Sequence, residues 1–90
     1  MKLLIAIPCL NEEKTLASVI AGVPRDIAGI DEIKILVIDD GSKDRTAEIA
    51  LQNGASILTH PTNLGVGAAL HSAIDYALDH DFDILVEYRC

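Results

Sequence analysis

Hydrophobic positions fall in blocks along this chain, and the blocks have two different periods. Leu3-Leu4-Ile5-Ala6-Ile7 and Ile33 to Ile38 are nearly continuous apolar runs. Such runs mark strands buried on both faces of a parallel sheet. Pro8 cannot donate to a sheet ladder, so the first strand is expected to end there. Asn11 reads as a helix N-cap, with Glu12 and Glu13 suited to the positive first turn. Leu16, Val19, Ile20 and Val23 then repeat at helical spacing, and Pro24 closes that helix. A second helix is expected from about Thr46 to Gln52, capped at Ser42 or Asp44 and stopped by Asn53-Gly54. Ser56 to Thr59 reads as a short strand and Asp83 to Val86 as the start of another. Between them Val66, Ala69, Leu70, Ala73, Ile74, Ala77 and Leu78 make the strongest helical stripe in the chain. The order is β-α-β-α-β-α-β. Alternation with short loops predicts an α/β fold with a parallel sheet, strand order 3-2-1-4 and helices on two faces.

Composition narrows the function classes. Ninety residues make one small domain, and half of them are hydrophobic, so a core can form. Aromatics are limited to Phe82, Tyr76 and Tyr88, so small and aliphatic side chains must do the packing. A net charge of −7 argues against nucleic acid and against docking on anionic lipid. A phosphate-bearing ligand would need a metal ion, a helix N-terminus or backbone N–H groups here. Cys9 and Cys90 form neither a metal-ligand spacing nor a disulfide framework, which points to a reduced, cytoplasmic setting. Cys9 reads as a small apolar residue. No apolar run reaches the length of a membrane span or a signal-peptide core.

Three polar clusters are expected to meet at the carboxyl edge of the sheet, where open α/β sheets bind ligands. The first is Pro8-Cys9-Leu10-Asn11-Glu12, after the first strand. The second is Asp39-Asp40-Gly41-Ser42, after the second. The third is Asn63-Leu64-Gly65-Val66-Gly67, leading into the third helix. Carboxylates can accept from a base N–H or from ribose hydroxyls, and a glycine-rich helix start offers N–H groups to phosphate. Each cluster also has an ordinary structural role. Asp39 and Asp40 suit a turn, Glu12 the helix dipole, Asp44 a cap, and Gly65 and Gly67 close helix–sheet packing.

Taken together, Ile7 to Glu13, Val37 to Thr46 and Asn63 to Ala69 resemble the family 2 glycosyltransferases. The likeness is greatest to the branch of dolichyl-phosphate mannose synthase-like and polyprenyl-phosphate sugar transferases, and it covers residues 3 to 86. It implies a GT-A fold, a Rossmann-like three-layer αβα sandwich. The implied ligand is a UDP- or GDP-linked sugar, transferred with inversion to a polyprenyl-phosphate or glycan acceptor, with Mg²⁺ or Mn²⁺ as cofactor. By position, Pro8, Cys9, Leu10, Asn11 and Glu12 would line the nucleotide, with Glu12 near ribose or base. Asp39, Asp40, Gly41 and Ser42 would hold the base and ribose side, with Asp40 favoured for the base. Gly65 and Gly67 would border the diphosphate.

Two departures stand out. Leu10 replaces an aromatic that stacks on the base in many members. After Asp83-Ile84-Leu85-Val86 the family continues into a metal-ligating Asp-x-Asp, whereas this chain reads Glu87-Tyr88-Arg89-Cys90. A cation at Arg89 would repel a divalent metal. The sequence therefore reads as the donor-binding part of a longer enzyme, or as an inactive nucleotide-binding or assembly module. If nothing covers the fourth strand, its open edge predicts a homo-oligomer formed through that strand. An NAD-dependent oxidoreductase fits poorly, since its glycine fingerprint should follow the first strand. A phosphoryl-accepting receiver domain needs a further Asp and Lys at later strand ends that have no counterpart here.

Overall fold

The computed structural model describes residues 1–90. Its elements are β1 (Lys2–Cys9), α1 (Leu16–Ala21), β2 (Glu32–Asp39), α2 (Thr46–Gln52), β3 (Ser56–Thr59), α3 (Val66–Asp79) and β4 (Ile84–Glu87). The four strands form one sheet in the order β3-β2-β1-β4, and every pairing is parallel. This is the expected topology, with helices as the crossovers.

Side-chain alternation along β1 and β2 builds two cores, one on each face of the sheet. Leu3, Ile5, Ile7 and Cys9 join Ile35 and Val37 on the face covered by Leu16, Ile20 and Val23 around α1 and by Ala50 of α2. Leu4, Ala6, Leu36 and Ile38 form the other face, covered by Ala69, Ala73 and Ala77 of α3. Both faces of the central strands are dry, which explains why their sequence shows no polar alternation.

Several local expectations need correction. α1 ends at Ala21 with Gly22 as its C-cap, before Pro24, and the N-cap of α2 is Arg45 rather than Ser42 or Asp44. β1 does not end at Pro8 but runs through it to Cys9. The Tyr88 N–H bonds the Ala6 carbonyl and the Asp40 N–H bonds the Cys9 carbonyl. By alternation, Pro8 therefore faces the β4 side, beyond the last laddered residue of β4, where its missing N–H costs little. Asn11 is not a helix cap. It sits at φ 54°, and α1 begins only at Leu16, capped by Thr15 without a side-chain hydrogen bond.

The α3 stripe is also only half buried. Its alanines pack on the sheet, while Val66, Leu70, Ile74 and Leu78 are exposed. A helix laid on the sheet through small residues comes close to it, and the larger residues of the same stripe are turned outward. No helix is long and apolar enough to cross a membrane.

Candidate functional site

The loops that follow β1 and β2 are stitched together by hydrogen bonds. The left-handed turn at Asn11 lets its N–H donate to Ser42 Oγ at 2.9 Å, while its Oδ1 accepts the Lys43 N–H at 2.9 Å. Asn tolerates this backbone region better than most residues. The Glu12 N–H donates to Thr46 Oγ1 at 3.0 Å, and the Glu13 N–H to Asp44 Oδ2 at 3.2 Å. Asp44 also accepts from the N–H and the hydroxyl of Thr46, holding the entry to α2 as a local side-chain turn. The loop N–H groups of Glu12 and Glu13 and the fully buried Thr46 thus tie the Asn11–Glu13 turn to the start of α2.

The adjacent carboxylates have separate partners. Asp39 is buried, and its Oδ1 accepts the Ser42 N–H at 2.9 Å, closing the turn beneath the loop. Asp40 points to the other face of the sheet, as alternation requires. Its Oδ1 faces His60 Nδ1 at 2.8 Å and accepts the Leu64 N–H at 3.0 Å, and its Oδ2 accepts the Gly65 N–H at 2.9 Å. Burial opposes ionisation of Asp40 more than any other single influence. The His60 and backbone hydrogen bonds together outweigh it and hold the carboxyl below its ordinary value. Its negative charge is therefore a fixed part of the fold, spent on positioning the loop that starts α3.

Gly41 lets the second loop meet the third. At φ +83°, its place for a Cβ lies 2.7 Å from the Thr62 carbonyl carbon and 2.9 Å from the Asn63 nitrogen. Only a residue without a Cβ fits there. Gly65, at φ +96°, turns the chain into α3, whereas Gly67 lies within the helix with open space around it.

Between these loops lies an open cavity of about 370 Å³. Pro8, Cys9, Leu10 and Glu12 line it from the first loop. Asp40, Asn63, Gly65, Val66 and Ala69 line it from β2 and the entry to α3, and Glu87, Arg89 and Cys90 from the end of β4 and beyond. Asn11, Asp39, Gly41, Ser42 and Gly67 lie outside the lining; the first four shape the loops that border the cavity.

Sequence reasoning passed over His60 and Ser72. His60 is buried, with Nδ1 on Asp40 and Nε2 on Ser72 Oγ at 2.8 Å. A histidine just past a strand end, facing an acidic pair on the neighbouring strand, was the available signal. The order Ser72–His60–Asp40 matches that of a nucleophile, its base and an orienting acid. However, Ser72 lies inside α3, where backbone N–H groups are committed to the helix and cannot form an oxyanion hole. The trio is a brace between β2, the loop after β3, and α3.

The divalent cation implied by the family resemblance does not fit the residues present. No three His, Cys, Asp or Glu side chains converge as a ligand set. Of the acids lining the cavity, Asp40 has both oxygens committed to N–H donors, and Arg89 lines the same space as Glu12 and Glu87. A divalent ion needs several convergent oxygens at short range.

Comparison with known proteins places this geometry. Residues 4–82 match the model of Glycosyl transferase family 2. An uncharacterised glycosyltransferase of Mycobacterium tuberculosis is 39% identical over 70 residues, covering 78% of this chain and 29% of that protein. The polyprenol monophosphomannose synthase of Mycolicibacterium smegmatis is 31% identical over 90 residues, covering 93% of this chain and 33% of that enzyme. Among solved structures, glucosyl-3-phosphoglycerate synthase from Mycobacterium tuberculosis, in complex with Mn²⁺, UDP and glucosyl-3-phosphoglycerate, superposes with a TM-score of 0.79. It is 29% identical, with 98% of this chain and 33% of that one covered. The chain thus spans about a third of the length of the relatives it matches. With the parallel 3-2-1-4 sheet and the loops at its carboxyl edge, these matches establish that the chain belongs to glycosyl transferase family 2.

Proposed function

We propose that this chain is the donor-binding part of a nucleotide-sugar-dependent glycosyltransferase that transfers a hexose, with inversion, to a polyprenyl phosphate or glycan acceptor. The observation that carries the reading is the cavity between the Pro8–Glu12 loop and the Asn63–Gly65 loop. It has acids on one side and a glycine turn at a helix start on the other. In this reading Glu12, which lines the cavity, accepts from ribose or base. In the same reading the entry to α3 borders the diphosphate through the first-turn N–H groups of Val66 and Gly67, those of Leu64 and Gly65 being taken by Asp40. Leu10, exposed at the cavity, offers an apolar surface to the base without aromatic stacking.

A second reading is a nucleotide-binding or assembly module without transfer chemistry. It is supported by Arg89 at the cavity and by the lack of a convergent ligand set. Titration of ¹⁵N-labelled chain with UDP and with GDP, each with and without Mn²⁺, tests both. Amide shifts confined to Pro8–Glu12 and Asn63–Gly67 are the expected result. A shift that Mn²⁺ strengthens favours the first reading, and a shift indifferent to Mn²⁺ favours the second. No shift with either nucleotide overturns both.

A further inference from the structure

The two cysteines lie 81 positions apart in sequence, yet their sulfurs are 3.0 Å apart. Sheet register is the cause. β1 and β4 pair in parallel from Leu3↔Ile84 to Ala6↔Glu87, a constant offset of 81. The Tyr88 N–H bonds the Ala6 carbonyl at 2.9 Å, closing the ladder at its last pair. The same offset of 81 separates Cys9 from Cys90, so the strand direction carries Cys90 toward Cys9, where the sulfurs meet. Neighbouring strands lie about 4.8 Å apart, inside the range of about 4.4–6.8 Å that a disulfide spans between Cα atoms. Spacing along the chain gave no disulfide framework, and sheet register brings the two sulfurs together. Both are free thiols in the structure.

Access is asymmetric. Cys9 is buried in the core face of β1, with its Sγ 3.6 Å from the Ile7 carbonyl, whereas Cys90 is exposed. Burial pushes both thiols up in pKa, Cys9 furthest, with the neighbouring cysteine and the negative charges of Glu12 and Asp39 adding to the effect at Cys9. Both therefore react slowly at neutral pH and faster in alkali.

We propose that Cys9 and Cys90 form an intrachain disulfide site, closed by exchange with a low-molecular-weight disulfide such as oxidised glutathione. The Cys90 thiolate attacks one sulfur of the small disulfide. The first small thiol leaves with the electron pair and takes up a proton, and a mixed disulfide remains on Cys90. Cys9 loses its proton and attacks Cys90 Sγ, displacing the second small thiol. Two protein thiols are oxidised by two electrons, and one disulfide is reduced to two thiols. The bond fixes the segment carrying Glu87 and Arg89 against Pro8 and Leu10, so one side of the cavity becomes rigid.

Intact-mass analysis after incubation with oxidised glutathione at about pH 8, followed by alkylation, gives the test. The wild type is expected to lose two hydrogens, carry no adduct and resist alkylation at both cysteines. Its thermal midpoint is expected to rise by several degrees and to fall back on reduction. Cys9→Ser, and Cys9→Ala as a second replacement at this buried position, should stop at a glutathione adduct on Cys90. Cys90→Ser should remain unmodified. Wild-type protein that keeps the adduct on Cys90, or that links two chains through it, overturns the proposal.

Discussion

His60 Nδ1 lies 2.8 Å from Asp40 Oδ1, with both side chains more than nine-tenths buried. An ionised carboxylate only accepts, so Nδ1 carries the proton of this bond. Ser72 can donate to or accept from Nε2, so it satisfies the ring in either protonation state. The pair connects β2 to the loop that opens α3, since Asp40 holds the Leu64 and Gly65 N–H groups.

Removing the ring should therefore loosen the loop as well as the core. His60→Ala is expected to cost about 3 kcal/mol, the range for taking one partner from a buried charged group. Amide exchange at Leu64 and Gly65 should accelerate more than exchange in β1. Urea unfolding and hydrogen exchange measure the two effects. Unchanged exchange at Leu64 and Gly65 would show that the brace does not hold the loop.

Acid should attack the same region. Asp40 is held below the ordinary Asp value of about 3.9 by the balance described above, and Asp44 is held below it chiefly by the Thr46 hydroxyl. Near that value the unfolded chain binds more protons than the native one, so stability rises with pH there. The contribution is complete above the ordinary value and is lost as pH falls through the lower native values. Asp40→Asn should lower stability at neutral pH and flatten the fall of the thermal midpoint between about pH 4 and 2. A variant that follows the wild-type slope would remove Asp40 from the acid response.

The glycines should separate by backbone conformation. Gly41→Ala meets the Thr62–Asn63 backbone under 3.0 Å at a positive φ, and is expected to cost about 2–4 kcal/mol. Gly67 is helical with nothing within 4 Å, so Gly67→Ala should stabilise by about 0.5 kcal/mol through helix propensity. Paired denaturation curves decide it. The reverse ranking would mean that the second and third loops do not pack as described.

The two sides of α3 should respond in opposite ways. Ala73 is 1% exposed against the sheet, and Ala73→Leu is expected to cost about 1–3 kcal/mol by overpacking. Ile74, beside it in sequence, is 42% exposed, and Ile74→Lys should stay within about 0.5 kcal/mol. Chemical denaturation of both variants measures this. Equal losses would place Ile74 in a buried contact.

The sequence by itself determined the element order, the parallel sheet and the place of the loops. Continuous apolar runs at Leu3–Ile7 and Ile35–Ile38 fit strands covered on both faces, and helices alternating with them leave few topologies. Ser56–Thr59 and Thr46–Gln52 were legible to the residue because turn and stop residues bracket them. Asn63-Leu64-Gly65 and Pro8–Glu12 were legible as edge clusters because each adjoins a recognisable element. Tertiary structure alone decided which partners those residues found. Asn11 reads locally as a cap, but a hydrogen-bonding side chain follows the nearest unsatisfied N–H, here on Lys43 of another loop. The α3 stripe shows that periodicity gives a face but not which part of it touches the sheet; alanine contacts settled that. His60 meets Ser72 and Asp40, and Cys9 meets Cys90, through pairings across 12, 20 and 81 residues. Such distances depend on register and crossover, and these exist only once the sheet has formed.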